Sequence, residues 1–125
     1  MFITIPLNPI TKKNSQQIIT IKGRPMIIPS PQYRKFEKEA KQYLPTLKEP
    51  INEAVNVKCV YYMQTRRKVD LTNLLSATDD LLVKHRILED DNKNIVYSHD
   101  GSRVFYDKKY PRTEITITKI EKIER

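Results

Sequence analysis

From Ala54 to Met63 apolar side chains recur at every second position, Val55, Val57, Cys59 and Tyr61, while Val60 and Tyr62 make the intervening face partly apolar. A period of two is the pleat of a β-strand, and apolar residues on both faces suit a strand with neighbours on either side. The stretch predicts a central strand, and the remaining segments must build a sheet and a helical layer around it.

Directly after it comes the basic run Arg66-Arg67-Lys68 and then Asp70, well placed to cap a helix. At 100° per residue Leu71, Leu74, Leu75, Thr78, Leu81, Leu82 and His85 fall within about 120° of one another, which predicts a helix over Leu71 to Lys84 with one core-facing stripe. A second helix is predicted after Ser30-Pro31, an N-cap followed by proline at the first helical position, ending before Pro45. Its opposite side carries Arg34, Lys35, Lys38 and Lys41, for which a solvated face is the default reading.

Met1 to Leu7 reads as a short strand. Ile18 to Ile21 and Met26 to Ile28 read as a hairpin around Lys22-Gly23-Arg24-Pro25. Asn94 to Tyr97 is strand-like, Asp100-Gly101 reads as a hairpin tip leading into Val104 to Tyr106, and Glu114 to Thr118 alternates as a last strand. Three strands, a helix, a strand, a helix and three strands predict an α+β fold, a mixed β-sheet with two main helices. At 125 residues the chain fits one domain over its whole length. No apolar run reaches the roughly 18 residues of a membrane span, and the start lacks the pattern of a signal peptide, so a soluble cytoplasmic protein is expected. A lone Cys59, read as a buried core thiol, and two histidines offer no Cys/His set for zinc.

The net charge of +8 is unevenly spread. From Asp70 to Asp91 six acids (Asp70, Asp79, Asp80, Glu89, Asp90, Asp91) face two bases (Lys84, Arg86), a balance of −4, and the rest of the chain carries +12. Basic side chains attract a phosphate backbone, whereas clustered carboxylates repel it unless they carry cations. A metal-dependent nuclease resolves that conflict. Phosphodiester hydrolysis needs an acidified water and a neutralised leaving oxygen, and one or two Mg²⁺ ions held by a few carboxylates supply both.

The candidate ligands are Asp70, Asp90 and Asp91. Each has a plainer reading, a helix cap for Asp70 and a solvated turn for Asp90-Asp91. Asp70 and Asp91 flank the same helix, and they meet only if the connection after Asp91 returns toward the start of that helix. Asp80 is ten residues beyond Asp70, roughly 15 Å along the axis, which suits a supporting role or a contact with a dimer partner. Asp79 projects to the other flank and is read as solvated. On the substrate side, Arg66, Arg67 and Lys68 could hold phosphates flanking the cut, and Lys12, Lys13 and Asn14 could do the same from a loop. Tyr61, Tyr62, Tyr97, Tyr106 and Tyr110 are read as sheet and core packing rather than as stacking platforms.

The stretch Arg66 to Ile95, RRKVDLTNLLSATDDLLVKHRILEDDNKNI, resembles the RusA family of Holliday junction resolvases. The shared pattern is a basic run, D-x-D-N opening a helix, an Asp within it, and a paired D-D before a strand. An amino-terminal strand followed by a polar loop with Asn14 and the overall length extend the resemblance over most of the chain. The resemblance implies a small homodimeric, Mg²⁺-dependent endonuclease, with Mn²⁺ substituting, that nicks four-way DNA junctions symmetrically in recombination, repair or phage replication and is often prophage-encoded. No membrane and no small-molecule substrate is implied. Asp70 and Asp91 become metal ligands, Asp90 a neighbouring ligand or orienter, and Asn73 and Asp80 supporting positions.

Two positions depart from the pattern. Thr72 replaces the second Asp of D-x-D-N and can offer only a hydroxyl, and Ser76 stands where some members carry a lysine. Lys84 or Lys93 could replace that charge. The alternative reading is a protein that binds branched nucleic acid without cutting it.

Overall fold

In a computed structural model describing residues 1–11 and 16–121, the sheet is built around the strand from which the sequence analysis began. The elements are β1 (Phe2–Ile5), β2 (Gln16–Ile21), β3 (Arg24–Pro29), α1 (Pro31–Ala40) with a 3₁₀ turn at Lys41–Tyr43, β4 (Val55–Met63), α2 (Leu71–Lys84), β5 (Val96–Ser98), β6 (Arg103–Tyr106) and β7 (Arg112–Lys119). This is the expected order of strands and helices. β4 is central: β7 pairs with it antiparallel on one side, β5 and β6 pair with it parallel on the other, and β1 closes the far edge against β7.

α2 forms where its cap and stripe place it. Asp70 accepts the Thr72 N–H, and Leu74, Leu81 and Leu82 are buried in one cluster with Val57, Cys59 and Tyr61 of β4 and Ile115 and Ile117 of β7. The helix closes with Arg86 at φ +60° and the Ile87 N–H on the Leu82 carbonyl at 2.8 Å. α1 begins at the expected cap, with the Ser30 hydroxyl accepting the Tyr33 N–H at 3.2 Å, and buries Tyr33 and Ala40. Ala40 joins the same cluster as Ile3 and Ile5 of β1, so the helices cover one face of the sheet. Cys59 is fully buried, and burial pushes its thiol up to about 12.

The Asp100-Gly101 expectation is corrected. β5 and β6 do not pair with each other; both pair with β4, at Val55–Asn56 and at Val60–Met63, and a turn at 99–102 bridges them. Side chains take over the interrupted ladder there. Asn56 Oδ1 accepts from the Asp100 N–H and the Ser98 hydroxyl, Asn56 Nδ2 donates to the Asp100 carbonyl, and the Ser102 hydroxyl accepts the Cys59 N–H. The β2–β3 hairpin does form, around Lys22 and Gly23 with φ +51° and +76°, but as a separate two-stranded sheet.

Candidate active site

Asp70 stands exposed where β4 has ended and α2 begins. Its Oδ1 accepts the Thr72 N–H at 3.2 Å and the Thr72 hydroxyl at 2.7 Å, and the positive end of the helix dipole favours the carboxylate. Thr72 therefore orients Asp70. Arg66, Arg67 and Lys68 are exposed on the approach to it, and the Arg66 guanidinium lies 4.0 Å from the centroid of Tyr106 at the end of β6. The basic run and Asp70 lie at one end of the sheet, where β4 and β6 finish.

Asp90 and Asp91 belong to the other end, where β4 begins. Asp90 Oδ1 accepts the Asp91 N–H at 2.8 Å and Oδ2 accepts from Asn92 Nδ2 at 3.0 Å, bonds that hold the Asp90 carboxyl below the usual range, the Asp91 N–H contributing most. Both residues are exposed, but both Asp90 oxygens are engaged in shaping the turn. Asp91 lines a cleft of about 460 Å³ between α1 and α2 with Asp80, Glu37, Arg34 and Lys84. Lys84 pairs with Glu37 across that cleft.

The return that would bring Asp91 to Asp70 does not occur. β5 enters parallel to β4 beside Val55, the first residue of β4, and Leu88 bridges to Ile51 just ahead of that strand. The connection therefore stays at the end where β4 begins, and α2, 14 residues and about 21 Å long, separates the two carboxylates. Among the described residues no three His, Cys, Asp or Glu side chains converge on a point where a metal could sit. The carboxylates of a single chain, as placed, do not fit a shared ion. Lys84 is the last residue of α2 and Lys93 lies beyond it, at the far end from Thr72, so neither replaces a charge beside Asp70 within the chain. Asn73 is half-buried in the first turn of α2, and Ser76 is exposed one turn beyond Thr72. Lys12, Lys13 and Asn14 lie outside the described residues.

One expectation is overturned and one is divided. Asp79 is buried, not solvated: its Oδ2 meets His99 Nε2 at 2.9 Å, its Oδ1 is buried with no hydrogen-bond partner among the described residues, and His99 Nδ1 meets the Val57 carbonyl at 2.8 Å. Both ring nitrogens face acceptors, so both carry protons when Asp79 is ionised, and the hydrogen bond to Asp79 raises the His99 pKa. No sequence signal joins residues twenty positions apart on a helix flank and in a turn. The tyrosines also divide. Tyr61 is buried with its hydroxyl 2.6 Å from Thr78 Oγ1, whereas Tyr97, Tyr106 and Tyr110 are exposed.

A model of the family described as endodeoxyribonuclease RusA matches residues 6–118 of the chain. No curated protein matches it.

Proposed function

From the premise that the chain belongs to the RusA endodeoxyribonuclease family, an endodeoxyribonuclease family acting on Holliday junctions, we propose that it resolves four-way DNA junctions by paired, Mg²⁺-dependent nicks as a homodimer in the bacterial or phage-infected cytoplasm. The observation that carries the reading is Asp70: an exposed carboxylate at the mouth of α2, oriented by Thr72 and fronted by Arg66, Arg67 and Lys68. Such an arrangement draws in a phosphate backbone and sets an anionic ligand beside it.

The separation of Asp70 from Asp91 favours a dimer. If α2 lies antiparallel to α2 of a second copy across a two-fold axis, Asp70 of one copy approaches Asp91 of the other, twice per dimer. Two sites related by symmetry suit a junction that requires two cuts. Asp90 would orient the turn, and Asn73 and Asp80 would support from α2. Mn²⁺ is proposed to substitute for Mg²⁺.

The test is a labelled four-way junction incubated with the protein and Mg²⁺ or Mn²⁺. Symmetric nicks are expected, and an intact junction in both metals overturns the reading. A second reading, a binder of branched DNA without nuclease activity, is favoured by Thr72, which already occupies Asp70 in place of a second carboxylate. It predicts salt-sensitive junction binding, unchanged in Asp70→Asn, and no product in either metal.

A further inference from the structure

The sheet face turned away from the helices carries a row of rings ending at open solvent. Tyr62 on β4 pairs in register with Arg112 on β7 and with Phe105 on β6. The Arg112 guanidinium lies 3.7 Å from the centroid of Tyr62, and the rings of Tyr62 and Phe105 are 5.6 Å apart and inclined by 30°. Arg112 is pinned by Asp107 and Glu114, each at 3.1 Å, so the row is fixed from its inner end. Its outer end is open among the described residues: there β6 pairs only with β4, and Phe105 is 48% exposed.

A large apolar ring held rigid and left half-exposed is a preformed contact surface. What surrounds it selects the partner. Arg103 shares the outer face with Phe105, and Lys108 and Lys109 are exposed in the turn that follows. The turn is shaped by Asp107 Oδ1, which accepts the N–H groups of Lys109 and Tyr110 at 3.1 Å each. Asp107 and Glu114, the acids nearest the row, are both engaged by Arg112, leaving the rim of Phe105 net positive. A second copy docked on this face across a two-fold axis would set like charges opposite one another, whereas a nucleic-acid strand offers flat π-faces and phosphates together. The platform lies at the same end of β4 and β6 as Asp70 but on the opposite face of the sheet: Arg66, on the way into Asp70, rests on Tyr106, which alternates with Phe105 toward the helix side.

We propose that Phe105, backed by Tyr62 and Arg112, is a stacking platform for an unpaired nucleobase of the bound DNA, with Arg103, Lys108 and Lys109 holding the adjoining phosphates. Placing that base near the branch point rests on the junction reading above; the platform itself does not. It gives the end of the sheet that carries Asp70 a second surface, one that favours frayed strands over continuous duplex.

The experiment uses the full chain, a twelve-nucleotide dT strand carrying one 2-aminopurine, and a four-way junction. Wild type is expected to change the 2-aminopurine fluorescence, and Phe105→Ala and Phe105→Leu to weaken strand binding about tenfold, while Phe105→Tyr binds as wild type does. Thermal melts of the variants should match wild type because the ring is half-exposed. Binding by Phe105→Leu equal to wild type overturns the proposal, as does a lower sedimenting mass of Phe105→Ala, which would make the face a contact between copies. Junction cleavage is scored in parallel. Wild type that stacks the probe but cuts nothing overturns the nuclease reading and leaves the platform; wild type that cuts while Phe105→Ala binds unchanged overturns the platform alone.

Discussion

Asp70 caps the first turn of α2 and Asp91 follows its last, so the helix that joins them in sequence also holds them apart, at opposite ends of the central strand β4. An ion shared by the two requires two chains. That requirement gives a test that loss-of-function variants alone cannot.

Asp70→Asn and Asp91→Asn are each expected to abolish junction cutting while retaining binding. Mixed, they are expected to recover it in part. In a mixed dimer with sites shared between copies, one site collects both substitutions and the other keeps both native carboxylates, so single nicks return without paired resolution. With both ligands drawn from one chain, every mixed dimer would stay inactive. Nicked and resolved products separated on a denaturing gel decide between these outcomes.

Thr72→Asp is expected to lower the Mg²⁺ concentration for half-maximal cutting by roughly tenfold, because metal affinity follows the number of anionic ligands and their orientation. The substitution also removes the hydroxyl that now donates to Asp70. Two adjacent carboxylates at the helix mouth repel each other without a cation, so the melting temperature should become more dependent on Mg²⁺ than in wild type. A Mg²⁺ titration of cleavage and of thermal unfolding reads both effects.

Much of the fold was legible because local signals agreed with burial. The stripe from Leu71 to Leu82 and the cap at Asp70 set the bounds of α2, and the alternation of Val55, Val57, Cys59 and Tyr61 marked the central strand. Spacing failed where tertiary hydrogen bonds decide. Asp100-Gly101 has hairpin composition, yet Asn56 and Ser102 bind that turn to β4, so β5 and β6 become two parallel pieces along one strand. The same parallel entry fixes the end of β4 at which Asp91 lies, and sequence distance carries no information about it. Asp79 and the exposed aromatics were missed for a related reason, since their environments are made by β5, β6 and the turns beside them rather than by their own segments.

The His99–Asp79 pair predicts a pH dependence of stability. His99 has its pKa raised in the folded chain, chiefly by the hydrogen bond to Asp79, above the ordinary value of 6.5. Folding therefore favours the protonated ring: the contribution is fully present below about pH 6.5 and is lost as the pH rises through the raised folded value. The melting temperature should fall from pH 6.5 toward pH 8.5, and Asp79→Asn should flatten this slope because an amide can donate to a neutral ring. His99→Ala leaves the buried Asp79 without its partner and is expected to cost about 3 kcal/mol, or roughly 10 °C in melting temperature. Melts of the three proteins across that pH range check the sign. A flat wild-type profile contradicts it.

The β2–β3 hairpin predicts where two copies meet. Ile18 and Ile27 face each other in register and are 72% and 66% exposed, while Ile21 and Met26 add apolar surface at 45% and 46%. A lone two-stranded ribbon is marginal in water, and one with this much bare aliphatic surface needs a cover. A second copy is the cover that agrees with the dimer proposed above. If each isoleucine buries about 2 kcal/mol of apolar contact, the four lost from a dimer in the Ile18→Glu/Ile27→Glu variant should weaken dimerisation by roughly a millionfold without lowering the melting temperature of the monomer. Sedimentation velocity should then show monomer at concentrations where wild type is dimeric, and junction cutting should fall with it. Cutting that persists in a monomeric variant would separate the hairpin from the site and return Asp70 to a role within its own chain.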